Sequence, residues 1–125
     1  MIYLASPYSH KNKAVEELRY MCTERVVARL LESGLMIYSP IVHCHHLATN
    51  HDLPRDQLFW NRYNHHMVGL ADELWVLELG GWDKSVGVAG EIAEAERIDI
   101  PVKYLHHSYE AALEGEIEIA VSANV

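Results

Sequence analysis

Length, composition and charge restrict the classes of protein to which this chain can belong. Its 125 residues predict one domain, residues 1–125, and the 50% of hydrophobic residues are enough for a single core. The formal net charge of -8 disfavours a nucleic acid polymer as partner, because a polyphosphate backbone is repelled. No apolar run reaches the roughly 18 residues of a membrane span, and the first residues are strand-like rather than typical of a signal peptide. We therefore expect a cytoplasmic protein without a membrane partner.

Strand-like and helix-like segments alternate along the chain. The first strand ends at Ser6-Pro7, and the helix after it carries apolar residues at three- and four-residue spacing, with Gly34 as its C-terminal cap. In chain order, the pattern predicts a strand at 2–5, a helix at about 11–33, a strand at 35–39, a polar loop at 41–53, a helix at about 54–71, a strand at 73–79, a glycine-rich loop at 80–87, a helix ending near 98, a strand at 101–105 and a helix at about 108–116.

Strands alternating with helices of this length predict an α/β fold. Because the strands are near-continuous apolar runs, they indicate a three-layer, doubly wound parallel sheet of the flavodoxin or Rossmann-like type. Right-handed crossovers favour the strand order 2-1-3-4, which reverses direction between strands 1 and 3. Ligands of such sheets bind at that switch point, so the loops at 5–10 and 80–91 are the predicted binding region.

The segment 80–91 carries the residues with the clearest chemical potential. Its four glycines allow the backbone to approach a ligand closely. Ser85 is a candidate N-cap, and the free N–H groups after it form an anion site. Glu91 follows about one and a half turns into the helix, where we expect a carboxylate to be stabilised. An ionised carboxylate in a cleft suits displacement at an anomeric carbon, although helix capping alone would also explain these residues.

Three motifs resemble one known group of enzymes. Ile2-Tyr3-Leu4-Ala5 running into Ser6-Pro7-Tyr8, Ala71-Asp72 before the third strand, and Ser85-x-Gly87-x-x-x-Glu91 after it are similar to the nucleoside 2-deoxyribosyltransferase superfamily. That superfamily includes the 2'-deoxynucleoside 5'-monophosphate N-glycosidases. The similarity spans about residues 1–105 and implies a small-molecule nucleoside or nucleotide as substrate, a homo-oligomer (dimer or tetramer) and no cofactor.

The resemblance also implies roles for individual residues. Glu91 matches the nucleophile that attacks C1', Asp72 the acid that helps to protonate the leaving base, and Tyr3 the tyrosine that orients the nucleophile. Ser85 matches the contact to the 5' end of the sugar, and a serine there favours a 5'-phosphate, to which Lys84 could add a cation. A nucleoside stays open as substrate, because the first loop lacks the arginine of the hydrolases and Asp83 could bind a sugar hydroxyl.

Further contacts to the substrate are predicted around these residues. Tyr8 lies in the first switch-point loop, Trp60 and Trp82 could stack on a base, and His43 or His46 could line the base pocket. The predicted substrate-binding residues are Ser6, Tyr8, Trp82, Asp83, Ser85, Gly87 and His46.

Two other classes of function stay open. One is a nucleotide-binding module without catalysis. The other is a metal-dependent hydrolase that uses the stretch from His43 to His46, although its spacing does not indicate a metal site.

Overall fold

A five-stranded sheet forms the centre of the computed structural model, which describes residues 1–54 and 56–123. The strands are β1 (Ile2–Ala5), β2 (Ile37–Tyr38), β3 (Glu73–Glu78), β4 (Val102–His106) and β5 (Val121–Ser122). Their order is β2-β1-β3-β4-β5, and the first four are parallel. The predicted order 2-1-3-4 and the Rossmann-like α/β class are confirmed. The sheet is not wholly parallel, because β5 adds an antiparallel edge to β4.

Helices cover both faces of the sheet. They are α1 (Lys13–Glu32), α2 (Pro40–Asn50), α3 (Gln57–Gly69), α4 (Val86–Arg97) and α5 (Tyr109–Glu114), with a short 3-10 turn at Trp82–Lys84. One core cluster joins Leu4, Trp75 and Leu77 to α1 and α5, and a second joins Tyr3, Ala5 and Val76 to α3 and α4. The alternation along β1 and β3 thus divides their side chains between two apolar layers. Within the described residues, no helix combines the length and apolarity that a membrane crossing requires.

The predicted loop at 41–53 is wrong, because most of it forms α2. Ser39 caps the helix by accepting a hydrogen bond from the Val42 backbone N–H, and Pro40 occupies the first turn, where proline is tolerated. His45 and Ala48 are buried on its inner side. The histidines gave the segment a polar composition that concealed its helical start signal.

The pattern of the segment 54–71 predicts an inner face made of Leu58, Tyr63, Met67 and Leu70, and this prediction is largely wrong. Leu58 is 89% exposed and Leu70 is 60% exposed, whereas Val68 is fully buried. α3 packs mainly on α4, and Met67 lies partly buried beside Val68. The contact with a neighbouring helix rather than with the sheet sets the buried face, so the helix keeps apolar side chains in solvent.

Candidate functional site

A cavity of about 450 Å³ opens at the carboxyl end of the parallel strands, at the switch point between β1 and β3. Its walls come from the segment after β1, from α2, from α3 and from the start of α4. This is the region that the strand order predicts for ligands, and its volume is in the range of small-molecule sites. The residues that line the cavity include Ser6, Tyr8, Cys44, His45, Gln57, Trp60, Asn61, Asn64, Lys84, Ser85, Gly87 and Glu91.

Glu91 is a buried carboxyl group that reaches this cavity. Its side chain is only 6% exposed, and the hydroxyl of the fully buried Tyr3 donates a hydrogen bond to Oε2. Burial raises the pKa of Glu91 to about 8, and the Tyr3 hydrogen bond acts in the opposite direction. The carboxylate expected from the helix N-terminus is therefore not the favoured form at neutral pH. Glu91 is the sixth residue of α4, beyond the first turn to which the helix dipole effect is confined.

The N-terminus of α4 forms an anion-binding corner of the cavity. Ser85 caps the helix with Oγ 3.2 Å from the Val88 backbone nitrogen, and Lys84 and Gly87 also line the wall. A side chain at position 87 would meet Gln57, because an added Cβ would lie 2.8 Å from its Nε2. Glycine there lets α3 approach the helix start closely. Positive helix charge, backbone N–H groups and an ammonium group suit a phosphate.

A hydrogen-bonded chain of three side chains forms another wall. The Tyr8 hydroxyl lies 2.6 Å from Nδ1 of His45, and Nε2 of His45 lies 2.8 Å from a carboxylate oxygen of Glu17. His45 is 4% exposed, and its ring stacks on Tyr20 at a centroid distance of 4.1 Å. His46, which was predicted to contact substrate, is exposed and packs against the edge of Tyr20. Of these two adjacent histidines, which point about 100° apart on the helix, only His45 lines the cavity.

Two further polar atoms of the wall lack a partner among the described residues. Ser6 Oγ and Asn64 Oδ1 are both buried, and neither makes a hydrogen bond to residues 1–54 or 56–123. Both residues line the cavity. Because buried polar atoms of proteins are nearly always hydrogen-bonded, these two are groups that a bound ligand can satisfy.

Arg19 of α1 connects the two switch-point loops. Its Nη1 donates to the carbonyl oxygens of Tyr8 and Ser9 after β1, and its Nε donates to the hydroxyl of Tyr109. The Tyr109 hydroxyl in turn donates to the carbonyl oxygen of Gly80, after β3, at 2.6 Å. One guanidinium and one phenol therefore fix the relative positions of both loops.

Besides His46, three of the predicted site residues lie away from the cavity. Asp72 is 81% exposed and pairs with the terminal ammonium of Met1 at the amino end of β3, whereas the cavity lies at the carboxyl ends of the strands. Trp82 packs on Tyr104 of β4, at a centroid distance of 5.7 Å, and Asp83 is exposed. Asp72 precedes β3 and Glu91 follows it, so the two acids lie at opposite ends of the strand. Trp82 and Asp83 point away from the cavity because they belong to the 3-10 turn.

Other predicted residues come together at the cavity. Ser6, Tyr8, Ser85, Gly87 and Glu91 all line it, and Tyr3 reaches it through its hydrogen bond to the carboxyl group. Trp60, which was predicted to stack on a base, lines it as well, and so does Asn61, which its place on the same predicted helix makes a weaker candidate.

Sequence reasoning missed several residues of the wall. Cys44 and His45 were missed because the polar composition of residues 41–53 predicts a loop. The signal that could have found them is the helix start at Ser39-Pro40, after which residues 41, 45 and 48 are spaced as one helix face. Asn64 and Gln57 carry no sequence signal that separates them from solvated helix residues. The described part of the chain holds no group of three or more His, Cys, Asp or Glu residues placed to bind a metal ion.

Fold and site together define a doubly wound α/β domain with a ligand cavity, containing a buried carboxyl group, at its switch point. The chain belongs to a family described as Domain of unknown function (DUF1937), whose model matches residues 1–107. No curated protein matches the sequence.

Proposed function

We propose that this protein cleaves the N-glycosidic bond of a nucleotide or nucleoside, by hydrolysis or by transfer to a second base, with Glu91 as the nucleophile. The observation that carries the proposal is the buried Glu91 carboxyl group, hydrogen-bonded to Tyr3 at the cavity. A carboxylate in a water-poor site suits attack on C1', which carries positive charge in the transition state of glycoside cleavage.

The raised pKa of Glu91 is compatible with this role. A buried carboxylate is poorly solvated, so it gains more than an exposed one from a positive centre placed against it. The charge that develops at C1' provides that centre only during the reaction. Tyr3 holds one carboxyl oxygen through its hydroxyl, which leaves the other oxygen for bond formation.

The corner at the start of α4 supports a 5'-monophosphate as the substrate. Lys84, the Ser85 cap and the helix N-terminus provide positive charge and N–H donors on the same wall of the cavity. Asp83 is exposed and does not line the cavity, so it is not placed to accept a hydrogen bond from an uncharged 5'-hydroxyl. Trp60 supplies an aromatic surface for the base.

A nucleotide-binding module without catalysis is the second candidate, and one observation favours it. Asp72 lies outside the cavity, so the pair of acids that argued for catalysis is not assembled. Binding without turnover would give thermal stabilisation by a nucleoside monophosphate with no release of base.

Base release separates the two candidates. Deoxynucleosides, ribonucleosides and their 5'-monophosphates are incubated with the protein, and free base is quantified by chromatography. We expect release from monophosphates, lost on Glu91→Gln and kept on Glu96→Gln, which removes an exposed acid from the same helix. Asp72→Asn is a second control, expected to keep activity because residue 72 is remote from the cavity. Thermal stabilisation without release would establish the binding module instead.

Assembly and location belong to the same proposal. Leu58 and Phe59 of α3, and Leu70 at its C-terminal cap, expose 89%, 49% and 60% of their surface, and α3 also carries cavity residues. These exposed apolar side chains support a homo-oligomer in which a second copy covers α3 beside the site. We retain the cytoplasm as the proposed location.

A further inference from the structure

The hydrogen-bonded side chains of Tyr8, His45 and Glu17 link the cavity to the protein surface. Tyr8 lines the cavity, His45 is buried behind it, and Glu17 is 53% exposed. The two hydrogen bonds measure 2.6 and 2.8 Å, and the stacked ring of Tyr20 holds the imidazole in place. Nucleophilic attack by Glu91 makes no use of these groups.

The partners of His45 determine where its hydrogens lie. A carboxylate only accepts hydrogen bonds, so Nε2 facing Glu17 carries a hydrogen. In the neutral ring, Nδ1 then accepts from the Tyr8 hydroxyl. In the protonated ring, Nδ1 donates to the Tyr8 oxygen, so that the phenolic hydrogen can pass to a ligand in the cavity that Tyr8 lines. Tyr8 thus becomes an acceptor or a donor according to the charge of His45.

From this geometry we infer that Tyr8, backed by His45 and Glu17, delivers the proton that the leaving base requires. The inference rests on the proposed N-glycosidic cleavage and names the group that performs its acid step. Asp72 is unsuited to that task because it is exposed at the other end of the strands. Tyr8 is the catalytic residue of this relay, and His45 and Glu17 are positioning residues.

The relay balances over both steps of hydrolysis. In the first, a Glu91 oxygen bonds to C1' as the bond from C1' to the base nitrogen breaks and its electron pair passes to the base. The base takes the proton of Tyr8, and the Tyr8 oxygen takes the proton from Nδ1 of the protonated His45. In the second, water attacks C1' and frees the Glu91 carboxylate. The water proton passes to Tyr8, and the Tyr8 proton passes to His45, which restores the starting state.

Leaving groups of different basicity test the relay. A purine or pyrimidine requires a proton on departure, whereas 4-nitrophenolate does not. We compare release from the four deoxynucleoside 5'-monophosphates with release from 4-nitrophenyl 2-deoxyriboside 5-phosphate. Tyr8→Phe is expected to slow base release about 100-fold or more, and nitrophenolate release by less than about threefold. Glu17→Gln, on an exposed position, is expected to show the same selectivity with a smaller loss. His45→Gln is the third relay variant.

The matched control is Tyr63→Phe, which removes a phenol that lies 3.2 Å from Nε2 of His43, outside the cavity lining, and keeps the ring that stacks on that histidine. It is expected to release both leaving groups at the wild-type rate. Wild-type turnover with equal losses for both leaving groups in Tyr8→Phe would reduce Tyr8 to a structural residue and overturn the relay alone. Absence of any release by the wild-type protein, from nucleotides and the nitrophenyl compound alike, would overturn the proposed function together with the relay.

Discussion

Replacing Glu91 with glutamine tests whether burial of this carboxyl group makes the free energy of unfolding depend on pH. Burial raises the pKa of Glu91 from its ordinary value of 4.5 to about 8. The folded state therefore retains the proton over this pH window while the unfolded chain releases it, and the wild-type protein loses stability as the pH rises through the window. Glutamine keeps an acceptor for the Tyr3 hydroxyl but does not titrate, so its variant escapes this loss.

The size of the effect follows from the same two pKa values. At about 1.4 kcal/mol per pH unit, the penalty amounts to about 3 kcal/mol at pH 7 and about 1 kcal/mol at pH 5. The stability advantage of Glu91→Gln over wild type should thus grow by about 2 kcal/mol between these two pH values. Urea unfolding at each pH measures it, and effects of glutamine that do not depend on pH cancel in the difference.

Glu96→Gln serves as the control, because it removes an exposed carboxyl group from the same helix. Its stability relative to wild type should change little between pH 5 and pH 7. If Glu91→Gln shows the same pH dependence as the wild-type protein, Glu91 is not held protonated and the electrostatic description of the site is refuted.

Three further predictions follow from the site and its frame. Release of 4-nitrophenolate, which needs no proton from the relay, should rise with pH up to a limb near 8, because the proposed nucleophile must be ionised and burial raises the pKa of Glu91 to about 8; a rate that falls over that range in a pH–rate profile would contradict this role. Tyr3→Phe removes the bond that lowers the pKa of Glu91, so the same profile should shift to higher pH. Gly81→Ala should lower the free energy of unfolding by about 1–3 kcal/mol in urea, because φ is +99° and an added Cβ would lie 2.5 Å from Nη2 of Arg19. The control Gly69→Ala, which has open space around it, should not destabilise the protein.

Much of the fold could be predicted because its signals are local. Apolar runs bounded by Pro7, Pro40 and Pro101 define three of the strands or their ends, and the rule of right-handed crossovers then fixes their order. β5 escaped because two residues carry no periodicity, and its antiparallel pairing depends on contacts to β4 that only the folded chain provides. α2 was not predicted because the polar composition of residues 41–53 favours a loop, whereas the capping signal at Ser39-Pro40 favours a helix.

The candidate site was predictable only where the chain itself brings its residues together. The loops that follow β1 and β3 meet at the switch point, so Ser6, Tyr8, Ser85 and Glu91 line one cavity. Asp72 precedes its strand and lies at the opposite edge, and motif order along the chain does not reveal this. The ionisation of Glu91 depends on three-dimensional burial, which outweighs the helix position that the sequence shows.

The hydrogen bonds that join Arg19, Tyr109 and Gly80 show which part of the chain is needed to hold the loops of the site in place. The family match ends at residue 107, yet the phenol that fixes Gly80 belongs to residue 109. Ala112 of α5 is fully buried against α1, and Cys22 and Tyr109 share that contact. A protein cut at the family boundary would retain every cavity residue and lose the support of one of its loops. The segment that matches the family and the segment that supports both loops of the site therefore end at different residues.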